Sequence, residues 1–110
     1  MEAFAILADP VRRRMIEVLS DGEQPAGTLG TVVRAEFGIS QPAVSNQLRA
    51  LREAAIVDVR AEGSRRIYRL LPGALDDASA WVDRYALLWP QRLDALETEL
   101  ARGRRSQGRR

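Results

Sequence analysis

A mostly α chain carrying one β-hairpin is the fold class the sequence predicts, on three observations. Apolar residues recur every three or four positions along most of the 110 residues, the period of helices with one buried face. Between residues 57 and 70 that period drops to two around a Gly-Ser turn, the mark of paired strands. Hydrophobic residues make up 45% of the chain and cysteines are absent, so one modest core forms without disulfide staples. The expected order is helix, helix, helix, helix, strand, strand and a long terminal helix, an α+β domain over residues 1–101 followed by an arginine-rich disordered tail at 102–110.

The opening MEAFAILADP reads as a short helix with Phe4 and Leu7 on one side, stopped before Pro10. Asp9 caps the next helix, Pro10 takes its first position, and Val11, Met15, Ile16 and Leu19 supply its buried stripe until Gly22. Arg12, Arg13 and Arg14 lie in the first turn, where the helix dipole disfavours cations. They need acidic partners or phosphates, and at least two are expected to pair with carboxylates of the body. Pro25 opens a third helix with Leu29, Val32, Val33 and Phe37 as its packing face. Gly38 supplies the left-handed stop before Ile39 and Ser40.

Ser40 is the N-cap of the fourth helix, Pro42 fits its first turn, and Val44, Leu48 and Leu51 form one apolar stripe. Gln41, Ser45, Asn46, Arg49 and Arg52 are left facing outward. A short helix end, a glycine turn and a capped second helix make a helix-turn-helix. Amide, hydroxyl and guanidinium groups along its free face are the equipment for reading base edges and holding phosphates.

In the hairpin, Val57, Val59 and Ala61 alternate with Asp58, Arg60 and Glu62 before Gly63-Ser64. A two-residue loop sets Val57 opposite Leu70, Val59 opposite Tyr68 and Ala61 opposite Arg66, with Asp58 opposite Arg69 and Glu62 opposite Arg65 on the other face. Apolar meets apolar and acid meets Arg in one register. A hairpin placed directly after the second helix is a wing.

The last helix is expected from Pro72, with Asp76 and Asp77 favourable in its first turn. Leu75, Ala78, Val82, Tyr85, Trp89, Leu93, Leu96 and Leu100 follow at intervals of three or four, and Trp81 and Leu88 add a second apolar edge. So small a core cannot bury all of this, which implies a second chain as partner. Pro90 should kink or restart the helix.

The net charge of +2 hides an uneven distribution. All 17 basic residues are Arg, and residues 1–101 carry 12 of them against 15 acids, a net of −3. Residues 34–69 hold seven Arg against four acids, or +3, whereas residues 74–100 hold two against six, or −4. Positive charge therefore sits with the helix-turn-helix and wing, the footprint that nucleic acid requires. Having neither cysteine nor histidine, the chain lacks thiolate metal ligands, Ser-His and Cys-His nucleophile pairs, and the commonest general base. No pair of carboxylates is gathered into a catalytic site, so an enzyme is not expected, nor a cofactor. No run of 18 apolar residues and no signal-peptide pattern occur, giving a soluble, cytoplasmic expectation without membrane contact.

Taken in order, AILADPVRRRMIEVL at 5–19, ISQPAVSNQLRALREA at 39–54, VRAEGSRRIYRL at 59–70 and WVDRYALLWPQRLDALE at 81–97 resemble the ArsR-type family of bacterial winged helix-turn-helix repressors. The last segment resembles autorepressor-like members whose terminal helix carries aromatics in place of metal ligands. The resemblance implies a homodimer formed through the first and last helices, here Phe4, Leu7, Trp81, Val82, Tyr85, Leu88, Trp89, Leu93 and Leu96. It also implies double-stranded operator DNA read by Ser40, Gln41, Pro42, Ser45, Asn46 and Arg49, with Arg65 and Arg66 on the wing. Asn46-Gln47 stands where many relatives have a basic residue followed by His, and Ala55 replaces the usual Gly at the helix exit. A left-handed Ala there would cost about 1 kcal/mol. The family's metal-responsive derepression uses Cys or His, so a small apolar effector, a protein partner or concentration alone is expected to end binding here. The alternative is an interaction module in which the winged helix binds little DNA and recruits or heterodimerises with another regulator.

Overall fold

The computed structural model describes residues 2–86 and 96–100. Its order is α1 (Glu2–Leu7), α2 (Pro10–Ser20), β1 (Gln24–Pro25), α3 (Ala26–Phe37), α4 (Gln41–Glu53), β2 (Val57–Glu62), β3 (Arg65–Leu70) and α5 (Asp76–Ala86). The chain divides into two units, Met1–Ala78 and Ser79–Arg110. The helix-turn-helix, the wing and the buried core Ile6, Val11, Met15, Ile16, Leu19, Leu29, Val33, Val44, Leu48, Leu51, Ile56, Val57 and Tyr68 all belong to the first. The second contains the exposed apolar residues Trp81, Val82, Tyr85, Leu96 and Leu100.

Local chemistry accounts for the helix boundaries. Asp9 Oδ1 accepts from the amides of Val11 and Arg12 at 2.8 and 3.2 Å, satisfying two donors at the start of α2, and Pro10 follows where no amide is needed. Gly38, at φ 63°, ends α3 by donating its amide to the Arg34 carbonyl. Ala55, at φ 57°, does the corresponding job after α4 without glycine's freedom. Its amide donates to the Arg52 carbonyl and that of Ile56 to the Leu51 carbonyl, both at 3.0 Å, a Schellman arrangement. Ile56 and Leu51 are both buried beside this turn, so the same residues that stop the helix seal its end against the core.

The hairpin has the expected register throughout, from Val57 opposite Leu70 to Glu62 opposite Arg65. Gly63 takes a positive φ and Ser64 a negative one, as a type II′ turn requires. The sheet has one strand more than the sequence predicts. Gln24–Pro25 pairs antiparallel with β3, giving a three-stranded sheet in the order β1-β3-β2. The added strand alters the supposedly polar face. Glu23 and Arg60 form a bidentate ion pair at 2.7 and 2.9 Å, joining the outer strands beside Ile67, which is only 5% exposed. Arg60 also takes the Glu62 carboxylate at 2.9 Å, so Glu62 pairs with Arg60 and not with Arg65. Asp58 and Arg69 do pair, at 3.2 Å.

Three further expectations change. Of the arginine run only Arg14 forms ion pairs at contact distance among the described residues, with Glu36 and Glu17. Arg12 and Arg13 instead donate to the carbonyls of Ala5, Ile6 and Leu7, which the end of so short a helix leaves without intrahelical partners. Phe37 has the right spacing but is 39% exposed, because α3 ends there and its last turn runs past the core. The terminal helix begins at Asp76, not Pro72: Gly73 at φ 76° and bonds from Ala74 to Leu71 and from Asp76 to Gly73 make a turn first. The break expected at Pro90, the stripe residues Leu88, Trp89 and Leu93, and the tail 102–110 lie outside the described residues.

Candidate nucleic-acid interface

α4 is held by one face and open on the other. Val44, Leu48 and Leu51 are buried, while Ser40, Gln41, Pro42, Ser45, Asn46, Arg49 and Arg52 are all exposed. At roughly 100° per residue, Gln41, Ser45 and Arg52 form one row along the helix and Pro42 and Asn46 a second, with Arg49 between them. The Ser40 hydroxyl accepts from the Ala43 amide at 3.3 Å, which spends it on starting the helix. Gly30 of α3 is buried against this end: a Cβ there would lie 3.5 Å from Val44 Cγ1 and 3.7 Å from Gln41 Oε1. Close approach of the two helices therefore seats Gln41 at the turn between them.

The wing supplies the second cationic element. Arg65 and Arg66 follow the Gly63-Ser64 turn, both exposed, and share a shallow hollow with Pro25, Ala26 and Gly27 at the start of α3. Among the described residues, the side chains of Arg49, Arg52, Arg65 and Arg66 make no hydrogen bond or ion pair, whereas Arg12, Arg13, Arg14, Arg60 and Arg69 are all engaged within the fold. The arginines with free guanidinium groups thus include Arg49 of the expected recognition face and both wing positions. Free cations on an exposed face are available to phosphates and base edges without the cost of breaking an internal pair.

One residue of α4 escaped the sequence reading. Gln47 is half-buried and hydrogen-bonded at both ends of its amide, donating from Nε2 to Asp9 Oδ2 at 3.1 Å and accepting at Oε1 from Arg12 Nη1 at 3.3 Å. Burial pushes the Asp9 carboxyl up, but the amides of Arg12 and Val11, the Gln47 amide and the Arg12 guanidinium together hold it below the usual carboxylate range. The available signal was position: Gln47 lies three residues after Val44 and four before Leu51, where a polar side chain needs a partner inside.

A helix-turn-helix domain family matches residues 7–60 of the chain. The HTH-type transcriptional regulator Rv2034 of Mycobacterium tuberculosis is 36% identical over 83 residues, covering 76% of this chain and 74% of that protein. The chain belongs to the ArsR-type family of helix-turn-helix transcriptional regulators. The transcriptional repressor SdpR of Bacillus subtilis is 29% identical over 79 residues, covering 72% of this chain and 83% of its own. The solved structure of an ArsR-like transcriptional regulator from Rhodococcus sp. RHA1 superposes with a TM-score of 0.64 at 27% identity, covering 88% of this chain and 85% of that one. In this ArsR-type regulator no group of three or more His, Cys, Asp or Glu side chains gathers among the described residues. No helix among them is long and apolar enough to cross a membrane.

Proposed function

We propose that this regulator is a repressor that binds double-stranded DNA as a homodimer on an inverted-repeat operator, blocking polymerase at an overlapping promoter. The observation that carries the reading is the exposed strip Gln41, Ser45, Asn46 and Arg49 on a helix whose opposite face is buried, together with the unengaged Arg65 and Arg66 on the wing. In this reading Arg49 and Gln41 reach base edges or flanking phosphates, Ser45 and Asn46 make shorter contacts, and the wing arginines hold the backbone. Exposed Trp81, Val82 and Tyr85 on α5, with Leu96 further on, supply apolar surface for the second protomer, and Phe4 and Leu7 of α1 remain half-buried in one chain. Two-fold symmetry then requires half-sites about one helical turn apart. The regulator acts in the cytoplasm and carries no cofactor. With no His or Cys in the sequence, addition of chelators or zinc should leave its DNA affinity unchanged in a binding titration.

Selection of bound fragments from random duplex DNA, followed by footprinting, tests the proposal. An enriched inverted repeat, with affinity falling steeply as salt is added to a chain ending at Ala101, is the expected result. No enrichment and no binding at low salt would overturn it in favour of an interaction module.

A further inference from the structure

Gln47 carries an arrangement that base reading does not use. Its amide joins Asp9 and Arg12, and each of these reaches further. Asp9 spends its other oxygen, Oδ1, on the first amides of α2. Arg12 spends Nε and Nη2 on the carbonyls of Ile6 and Ala5 at 3.0 and 3.2 Å. Three side chains thereby tie the end of α1, the start of α2 and the middle of α4.

Apolar contacts such as those of Val44, Leu48 and Leu51 set how far α4 stands from the core, but they are non-directional and oppose rotation about the helix axis weakly. A hydrogen bond loses strength steeply as its angle departs from linearity. An amide fixed at both ends, on the flank of the stripe, resists the rotation that methyl groups permit. At a radius of about 6 Å, a turn of about 20° moves side-chain tips by about 2 Å, enough to take a donor out of reach of a base edge.

We infer that Gln47 is a positioning residue: bridged between Asp9 and Arg12, it sets the rotation of α4 about its own axis and makes that rotation answer to α1. The consequence for sequence selectivity rests on the DNA-binding reading above, whereas the mechanical lock does not. Where α1 also meets a second protomer, the same bridge carries the state of that contact to the reading face.

An exchange of the two partners tests the lock. Gln47→Glu sets two carboxylates against each other, and Asp9→Asn sets two amide donors against each other. The double variant Asp9→Asn/Gln47→Glu restores a donor facing an acceptor, preserves the total charge, leaves Arg12 an acceptor and keeps a good N-cap. Gln47→Met retains the volume without either hydrogen bond. In the free protein, backbone residual dipolar couplings report the orientation of α4 against α3. With DNA, the affinity ratio between the duplex selected by the wild-type chain and a scrambled duplex reports reading. Expected are a reoriented α4 and a loss of about 10-fold in that ratio for each single variant, at unchanged affinity for the scrambled duplex, with both restored in the double. Couplings of the single variants that fit the wild-type frame, or a double variant that restores nothing, would overturn the inference. If the wild-type chain enriches no duplex, the DNA-binding reading fails and the dipolar couplings alone decide on the lock.

Discussion

Ala55→Gly is the substitution whose effect can be worked most directly from the structure. Ala55 stands at φ 57° in the turn between α4 and β2, where an L side chain meets its following carbonyl at a cost of about 1–2 kcal/mol. Its side chain is exposed, so no core contact is lost when the methyl is removed. Both turn hydrogen bonds, Ala55 to Arg52 and Ile56 to Leu51, use backbone atoms and survive the change. Against the relief stands the extra freedom that glycine gives the unfolded chain, about 0.4–1 kcal/mol. The net is a stabilisation of about 0.5–1 kcal/mol, equivalent to about 3–6 °C in midpoint for a domain of this size. Thermal denaturation followed by circular dichroism measures it, at matched protein concentration because dimerisation would couple to folding. Ala55→Val, adding a β-branched side chain at the same φ, should lower the midpoint. An unchanged or lower midpoint for Ala55→Gly would refute the claim that this turn is strained.

Four other outcomes follow from the same contacts. Arg49→Ala should weaken binding to the selected duplex by about 1–3 kcal/mol and relax preference at one base position, as read by competition titration. Arg66→Ala should weaken all duplexes alike and reduce the slope of log affinity against log salt by about 1. Because Asp9 is held below its ordinary pKa when folded, its charge adds stability that is complete above the unfolded value near 3.8 and disappears as pH falls through the lower folded value. Stability measured against pH should therefore drop below about pH 4, and Asp9→Asn should flatten that limb. Gly30→Ala should gain about 0.5–1 kcal/mol, since a methyl there meets Val44 at ordinary contact distance; a loss of stability in thermal melts would show that α3 and α4 are closer than described.

Features set by neighbours in the chain were legible from the residues. Asp9-Pro10 and Ser40 cap their helices as their chemistry requires, Gly38 takes the left-handed stop, and Gly63-Ser64 fixes every pair of the hairpin register. The exposed face of α4 was equally legible, because Val44, Leu48 and Leu51 claim the opposite side. What escaped depends on residues far apart. Gln24–Pro25 is too short for any period and contains a residue poor in strands, so only its pairing with Ile67 and Tyr68 reveals it. The carbonyls that take Arg12 and Arg13 exist because α1 stops at Leu7, and a run of arginines gives no hint that backbone will outcompete carboxylates. The position of Gln47 beside the stripe calls for a polar partner, but that partner, Asp9, stands 38 residues away and no local pattern names it. Pro72 mimics a helix start, but Gly73 at φ 76° turns the chain before Asp76.

At the foot of the wing the Leu71 amide donates to the Ile56 carbonyl at 3.0 Å, at the point where α4 has just been sealed by Leu51 and Ile56. Up to Arg60 and Ile67 the hairpin is held by β1 and by the Glu23 carboxylate, and beyond them a ribbon of two strands projects, carrying Arg65 and Arg66. Inserting two residues into each arm would carry Arg65 and Arg66 outward by about 7 Å while leaving the root untouched. Reach and recognition can thus diverge separately in descendants of this chain: one by lengthening a ribbon, the other by exchanging side chains on a cylinder that never has to move.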